Sequence, residues 1–206
     1  SSRKYTSTNR GFTEGAEPLK AILLAAGLGT RLRPLTNQTP KCLLPIDGKP
    51  LLGHWLDILS KVGVGPVLIN THHLAERVKM FVDDRGKDSD VKLVFEGELL
   101  GTGGTLKKNV DFIGGSPLLV IHADNFCLSN IKALLQAHQN RTQEVEITMM
   151  TFVANDPTQC GVVELDKNQI VTGFYEKVDV PPSNIANAAV YVFEPTVIND
   201  IVSNTK

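Results

Sequence analysis

Short apolar runs alternate with amphipathic segments through most of the chain, and this alternation constrains the fold more than any other feature. Helical spacing of apolar residues predicts helices between the runs. A strand–helix alternation of this kind predicts a doubly wound, mostly parallel α/β sheet whose ligands bind at the carboxyl ends of the strands. The predicted strands are Lys20–Ala25, Val67–Asn70, Val91–Phe95, Leu118–Ala123 and Val145–Val153, and the predicted helices are Leu51–Val62, Leu74–Val82, Thr105–Phe112 and Asn130–Gln139.

The rhythm changes in the last part of the chain. Gly161–Leu165 and Ile170–Tyr175 flank Asp166-Lys-Asn and predict a hairpin. Asn187–Phe193 predicts a last strand, and Pro195 is typical of a helix start. A small β-rich portion near the C-terminus is therefore expected to follow the parallel sheet.

Composition limits the class of protein. The 206 residues are 42% hydrophobic with a net charge of -1, which suits one globular domain and disfavours a nucleic-acid or acidic-membrane surface. No apolar run reaches membrane-spanning length. Three widely spaced cysteines without CxxC argue against a disulfide framework or zinc site and favour the cytoplasm. Residues 1–18 are predicted to be a polar extension and 19–206 the domain; the missing initiator Met suggests a partial chain.

The loop after the first strand reads LAAGLGTRLRPLTNQTPK and combines glycines with two spaced cations. Glycines let the backbone approach an anion, and the Arg31 guanidinium offers a fork of donors that suits phosphate. Pro34 and Pro40 stiffen the path to Lys41, so a polyphosphate cradle is predicted. A third glycine for a dinucleotide fingerprint and the GK[ST] of a P-loop are both absent. An ordinary glycine-rich turn explains the glycine spacing alone equally well.

The full run resembles the signature of sugar-1-phosphate nucleotidyltransferases, AAGxGTRLxPLT followed by PK, and the resemblance extends through Leu19–Phe193. It implies a Rossmann-like (GT-A-like) fold and a Mg²⁺-dependent reaction of an NTP with a sugar 1-phosphate to give an NDP-sugar and pyrophosphate. It also implies catalytic roles for two cations, Arg31 and Lys41. The nucleotide-binding residues that it implies in this loop are Leu24, Ala26, Gly27, Gly29, Thr30, Arg31 and Lys41.

The segment EGELLGTGGT, Glu96–Thr105, is on composition alone equally well a simple turn. The resemblance places it against the nucleobase, with Glu96, Gly101 and Thr102 as contacts. A carboxylate accepts two hydrogen bonds and so suits the paired N1–H and N2–H donors of guanine. This favours GTP and the mannose- or heptose-phosphate guanylyltransferases, although some uridylyl- and cytidylyltransferases share such glycine turns.

An acid, Asp124, ends the buried run LLVIHA. Capping of the next loop and metal binding are equal alternatives for it from the residues alone. The resemblance implies that Asp124 binds Mg²⁺ and is catalytic, with Ala123 in place of the usual glycine. Local packing is favoured over a metal role for His72 and His73, because adjacent histidines rarely reach one ion.

The resemblance assigns sugar-phosphate binding to Gly161, Glu176, Lys177 and Asn187. An exposed charge pair is the ordinary alternative for Glu176 and Lys177. Two positions depart from the family pattern: Val178 replaces a proline and Ala189 replaces a glycine. The width of the sugar pocket is therefore in question.

The reaction needs no protein nucleophile, because the sugar phosphate is largely dianionic near neutral pH. The family's second metal-binding Asp is expected beyond the last strand, and Asp200 is not a convincing match, so the chain is either cut short or lacks that ligand. Two rival functions stay open: a catalytically silent nucleotide-binding module, and a nucleotidyltransferase for a non-sugar phosphate. A homo-oligomer is a further expectation.

Overall fold

A computed structural model describes residues 19–86, 90–126 and 130–204, so the predicted extension over residues 1–18 lies outside the described residues. Its elements are strands and helices in regular alternation, followed by a mainly β region. The strands are β1 Lys20–Leu24, β2 Pro45–Ile46, β3 Lys49–Pro50, β4 Val67–Thr71, β5 Val91–Phe95, β6 Leu118–His122, β7 Ile147–Val153, β8 Gly161–Leu165, β9 Val171–Glu176 and β10 Ile185–Phe193. The helices are α1 Leu51–Lys61, α2 Ala75–Asp84, α3 Gly101–Lys108, α4 Val110–Ile113, α5 Ile131–Gln139 and α6 Pro195–Asn204.

Eight of these strands form one sheet, one side of which is parallel in the order β5-β4-β1-β6 with β5 at the edge. The three inner strands β4, β1 and β6 are mainly apolar because a strand covered on both faces buries nearly every position. All five residues of β4 are buried. The predicted mostly parallel α/β sheet is confirmed.

Helices cover both faces of this sheet. Alternate residues of β1 face opposite sides, so Leu23 packs with α1, α2 and α5, whereas Ile22 packs with α3, α4 and α6. Truncating either fully buried side chain to Ala would cost about 2–5 kcal/mol, which makes both layers essential to the sheet.

The last strand, β10, is inserted between β6 and β7 and runs antiparallel to both. Strand β7 therefore runs in the direction of β6 without lying beside it, which the alternation alone does not predict. The first half of β10 extends further and carries the β8–β9 hairpin through the pair Ala186 and Val162. This arrangement sets the small β-rich portion next to the carboxyl edge of the parallel strands.

The predicted helix Thr105–Phe112 was wrong in both its start and its continuity. Helix α3 begins four residues earlier at Gly101, and α4 is a separate turn. Asn109 lies at the break, where its backbone leaves the helical region and its side chain donates to the Thr105 carbonyl at 2.8 Å. That side-chain bond replaces helical pairing, a use for which Asn is well suited.

Candidate active site

The ends of the parallel strands meet at one edge of the sheet. Leu24, the last residue of β1, pairs with Asn70 of β4 on one side and His122 of β6 on the other. The loops that follow these strands therefore start side by side. We call residues 24–46, 70–73, 96–105 and 122–125 the strand-end region.

The glycine-rich loop is ordered by three consecutive 3-10 turns at Thr30–Leu32, Leu35–Asn37 and Lys41–Leu43. Gly29 adopts a left-handed φ of 63°, and a Cβ there would lie 2.8 Å from Thr36 Cγ2. The buried Thr36 hydroxyl donates to the Gly29 carbonyl at 2.8 Å. The close approach requires glycine at position 29. Thr36 was not predicted as a site residue, although its polar side chain inside the family motif was a usable signal.

Lys41 and Asp124 meet although 83 residues separate them in the sequence. The Lys41 Nζ donates to Asp124 Oδ2 at 2.8 Å, and both side chains are 30% exposed. A Cβ on Gly27 would lie 3.9 Å from the same carboxylate oxygen, so the first glycine of the loop borders the pair. The structure thus brings together the predicted phosphate cation and the predicted metal ligand.

The other predicted phosphate groups are accessible. Arg31 and Thr30 are exposed on the first 3-10 turn, and Arg31 forms no ion pair with any residue that the structure describes. The guanidinium is free to donate to an anion. Leu24 is half-buried and Ala26 is buried at the start of the loop, and their nucleotide contacts stay predictions.

The loop that carries Asp124 is held on three sides. The Ala123 N–H donates to the Leu24 carbonyl at 3.0 Å, and the Trp55 indole N–H donates to the Asn125 carbonyl at 2.9 Å. The Asn125 amide reaches the Ala188 carbonyl of β10 at 3.4 Å. Trp55 is buried in the core, so its hydrogen bond ties this loop to helix α1.

Two titratable neighbours of Asp124 are kept neutral. Burial lowers the pKa of His122, the Asp124 charge opposes this shift, and Lys41 adds to it. Burial raises the pKa of the Cys42 thiol to about 12, and the Asp124 charge adds to the rise. Cys42 is therefore a packed thiol rather than a nucleophile, which agrees with a reaction that needs none.

The donors present fit a magnesium ion held mainly by substrate. Within the described residues, no group of three or more His, Cys, Asp or Glu side chains is placed to hold a metal ion. Magnesium commonly binds one or two carboxylates together with substrate phosphates and water. Asp124, partly exposed beside the bare backbone of Gly27, meets that requirement. Asp200 lies on α6, which follows the end of β10 that pairs with the start of β6, at the opposite edge.

Glu96 is 1% exposed, which the prediction of a base contact did not anticipate. Its Oε1 accepts from the Thr105 hydroxyl at 2.6 Å and from the Asn70 amide at 3.1 Å, whereas its Oε2 has no partner in the part of the chain that the structure describes. Gly101 has a left-handed φ of 66° at the start of α3, and Thr102 follows half-buried. The base contacts assigned to these residues stay predictions.

The adjacent histidines bind different segments. His72 Nδ1 lies 2.7 Å from the Glu96 carbonyl, and its ring stacks on Phe95 at 6.4 Å between centroids. His73 Nε2 lies 3.0 Å from the Thr36 carbonyl in the glycine-rich loop. Both imidazoles therefore connect the end of β4 to neighbouring loops.

The predicted sugar-phosphate residues lie on the hairpin and on β10. We call residues 160–177 and 187–191 the hairpin region. Gly161 pairs directly with Glu176, and a Cβ on Gly161 would lie 2.6 Å from Glu176 Oε2. The Lys177 N–H donates to the Cys160 carbonyl at 3.1 Å, and its Nζ lies 3.6 Å from Glu176 Oε1 in an exposed pair. The structure gathers these groups, and their sugar role stays a prediction.

Asn187 is fixed by its own strand. Its amide donates to the Tyr191 hydroxyl at 2.5 Å, and its Oδ1 accepts from the Ala189 N–H at 2.8 Å. A bulge separates Asn187 from Tyr191, and Ala189 takes a left-handed φ of 56° within it. Burial raises the pKa of Tyr191, its bond from Asn187 lowers it, and the Glu176 charge raises it again. Tyr191 thus belongs to the hairpin region, although only Asn187 of this strand was predicted as a site residue.

The profile of the Nucleotidyl transferase family matches residues 20–206. The chain therefore belongs to the nucleotidyl transferase family.

Particular relatives narrow the resemblance to enzymes of sugar 1-phosphates. The chain is 36% identical over 186 residues to the mannose-1-phosphate guanylyltransferase catalytic subunit beta of Drosophila melanogaster, covering 88% of this chain and 50% of that protein. The chain spans about half the length of the curated relatives that it matches.

Solved structures agree in fold. A protein described as a glucose-1-phosphate thymidylyltransferase from Bacillus anthracis, solved with sucrose, superposes with a TM-score of 0.80 at 25% identity, covering 91% of this chain and 76% of that one. HddC from Yersinia pseudotuberculosis, complexed with GMP-PN, superposes with a TM-score of 0.73 at 26% identity, covering 88% and 79%. No helix in the described part of the chain is long and apolar enough to span a membrane.

Proposed function

We propose that the chain carries the catalytic domain of a sugar-1-phosphate nucleotidyltransferase that makes GDP-mannose and pyrophosphate from GTP and mannose 1-phosphate. The contact between Lys41 and Asp124 carries this proposal, because it joins the cation predicted to bind phosphate to the carboxylate predicted to bind the metal, at the loop edge of the sheet. The naming of the Drosophila relative supports mannose as the sugar. The proposal includes a cytoplasmic location, which the three widely spaced cysteines favour, and a homo-oligomeric state.

In this mechanism an oxygen of the sugar phosphate attacks the α-phosphorus of the NTP. A new phosphorus–oxygen bond forms, the bond to the β-phosphate breaks, and pyrophosphate leaves with that bond's electron pair. The barrier comes from bringing two anions together in line, so positioning and charge neutralisation do most of the work. No side chain needs to accept a proton from the dianionic phosphate.

The cations of the strand-end region have matching roles. Lys41 has three N–H donors, so it can keep its bond to Asp124 while it donates to a phosphate oxygen. Arg31 is exposed, and its fork can hold the β- and γ-phosphates that become pyrophosphate. Asp124 would hold Mg²⁺, which when bound neutralises charge between the two reacting phosphates.

The hairpin region supplies the second substrate site in this proposal. Lys177 would anchor the phosphate of the sugar 1-phosphate, and Glu176 and Asn187 would bind sugar hydroxyls. Asn187 retains a second amide hydrogen and a second Oδ1 lone pair beyond its two internal bonds. Ala189 places a methyl group where a glycine has none, which favours a narrower pocket at this bulge.

Glu96 would set the preference for guanine. Its Oε1 is engaged by Thr105 and Asn70, and its Oε2 is buried and has no partner among the described residues, so a base donor would reach Oε2 only when the segment 96–105 opens around the base. Glu96→Gln would place an amide at this position. An amide suits uracil or thymine better than it suits guanine. The variant should lose activity with GTP and gain relative activity with UTP.

The decisive experiment is a pyrophosphate-release assay with Mg²⁺ across four NTPs, several sugar 1-phosphates, choline phosphate and glycerol phosphate. We expect release with GTP and mannose 1-phosphate, and little with the other NTPs. NTP binding without release under any combination would instead favour the silent module. Release only with choline or glycerol phosphate would favour the non-sugar alternative.

A further inference from the structure

Three buried polar side chains from three separate elements form one hydrogen-bonded unit beneath the strand-end region. Asn70 is at the end of β4, Glu96 follows β5, and Thr105 is on α3; they are 3%, 1% and 0% exposed. We call Asn70, Glu96 and Thr105 the buried triad. Burying polar groups this deeply costs folding free energy unless they are paired, so a structural or functional reason for their arrangement is expected.

The bonds inside the triad are unevenly distributed. The Thr105 hydroxyl donates to Glu96 Oε1 at 2.6 Å, and the Asn70 amide donates to the same oxygen at 3.1 Å and to Thr105 Oγ1 at 3.2 Å. Both donors therefore converge on Oε1. Oε2 of the same carboxylate is buried and has no partner among the described residues.

Asn70 also connects the triad to the glycine-rich loop. Its Oδ1 accepts from the Ala25 N–H at 2.7 Å, and Ala25 is the first residue after β1. A single amide thus joins the start of the proposed phosphate loop to the segment proposed to face the nucleobase. The two parts of the nucleotide site are fixed relative to each other by this side chain.

We propose that Asn70 and Thr105 are positioning residues for nucleotide binding: they hold Glu96 Oε1 and, through the Ala25 N–H, fix the segment 96–105 relative to the start of the glycine-rich loop. This rests on the proposed function, in which the segment 96–105 faces the base. Thr105 is the specificity-determining member, because its hydroxyl holds the Glu96 carboxylate in one orientation within that segment. Asn70 acts on the loop through the Ala25 N–H, and its effect is independent of the base.

The test is calorimetric binding of the four NTPs to the whole chain, without catalysis. Thr105→Val keeps the shape and removes the hydroxyl, so the Kd for the preferred NTP should rise about tenfold and its advantage over the other NTPs should shrink. Thr105→Ser should restore both. Asn70→Ala should instead raise the Kd values of all four NTPs by similar factors.

Thr148→Val is the matched control. The Thr148 hydroxyl also contacts a side chain, since it lies 2.8 Å from His138 Nδ1. Thr148 is at the start of β7, away from the strand ends. It should lower the melting temperature without changing any NTP Kd. The same pattern in Thr105→Val, lower stability with unchanged Kd values and ratios, would refute a positioning role.

The result separates this inference from the proposed reaction. A wild-type chain that binds no NTP would defeat both. A wild type that binds GTP selectively but releases no pyrophosphate would defeat the proposed reaction and leave the triad's role supported by the Thr105 variants. Selective GTP binding that Thr105→Val leaves intact would defeat the inference alone.

Discussion

The strand-end region and the hairpin region are held together in different ways. In the first, Lys41 reaches Asp124 and Asn70 reaches Ala25 and Glu96, across 83, 45 and 26 residues of sequence. In the second, Gly161 and Glu176 are partners in one hairpin, and Asn187 bonds within its own strand. The triad bonds are buried, whereas the Glu176–Lys177 pair is exposed.

This difference predicts different behaviour of the two regions on mutation. Long-range contacts form only when the sheet has assembled, so changes in the strand-end region should affect the position of several loops together. Local contacts of the hairpin region form within one supersecondary unit, and their loss should stay local. The strand-end region is thus suited to hold the charged triphosphate rigidly, and the hairpin region to adapt to one sugar.

Asp124→Ala should have the largest effect and would test the strand-end region as the chemical centre. Loss of the metal-binding carboxylate should lower kcat on the order of 1,000-fold, because a bound metal contributes several kcal/mol of charge stabilisation. Stability should change by less than about 1 kcal/mol, since the pair with Lys41 is 30% exposed on each side. Pyrophosphate release and chemical denaturation measure the two quantities.

Asp111→Ala, an exposed acid on α4, is the control and should leave both quantities unchanged. Turnover of Asp124→Ala near that of the wild type would show that this residue does not bind the metal and that the strand-end region is not the chemical centre.

Gly29→Ala should have the next largest effect because it disturbs the glycine-rich loop itself. The added Cβ would lie 2.8 Å from Thr36 Cγ2 at a residue with a φ of 63°. Left-handed strain and the clash together should cost about 3 kcal/mol of unfolding free energy and weaken NTP binding.

Gly48→Ala separates the two causes. Gly48 has a φ of 74°, but nothing lies within 4 Å of its would-be Cβ. This variant should lose only about 1 kcal/mol, by backbone strain alone, and should bind NTPs normally. Equal losses in the two variants would mean that the Thr36 contact does not hold the loop.

Lys177→Ala should have a smaller effect that is confined to one substrate. Removing one charge-assisted hydrogen bond to the sugar phosphate should raise its KM about tenfold, with kcat and the KM for NTP little changed. Steady-state kinetics with each substrate varied in turn will show it. Lys167→Ala, in the turn of the same hairpin, is the matched control, and an equal response from both lysines would identify Lys177 as an ordinary exposed charge.

The elements of this fold were largely predictable because apolar runs and helical spacing are local properties. The five strands predicted before residue 154 occur within two residues of their predicted bounds, and the hairpin and Pro195 helix also occur. The start of α3 at Gly101 was missed because a glycine-rich segment has low helix propensity, and packing of Leu106 against the sheet outweighs it.

The site was predictable where a family motif marked a residue, and not where a role depends on a distant partner. Asn70 ends a buried strand, and Trp55 reads as a core residue. Only the assembled sheet shows that Asn70 accepts a hydrogen bond from the Ala25 N–H and that Trp55 donates one to the Asn125 carbonyl. Ala189 could be recognised as a departure from the family pattern, but its left-handed backbone at a bulge depends on pairing with β7.

The smallest expected effect lies outside both regions and tests whether acid acts on the scaffold. His138 of α5 contacts Thr148 and Glu194 at 2.8 Å and 2.9 Å, at the edge of the sheet opposite the strand ends. Burial lowers the pKa of His138, the bond to Glu194 opposes this, and Arg141 reinforces it. In the unfolded chain His138 therefore takes up a proton near pH 6.5, whereas in the folded chain it does so only at a lower pH. The free energy of unfolding should therefore fall as the pH drops below about 6.5.

One such group gives a slope of at most about 1.4 kcal/mol per pH unit in the unfolding free energy. Denaturation curves between pH 8 and 5 should show this decline in the wild type. His138→Gln should remove the His138 contribution, at the cost of a constant loss from the altered contacts, and leave the contribution of His122, whose pKa burial also lowers. Asp124→Ala should not flatten the decline, because it removes the charge that opposes the lowering of the His122 pKa. A flattened slope in Asp124→Ala but not in His138→Gln would place the acid-sensitive group in the strand-end region and reverse the assignment.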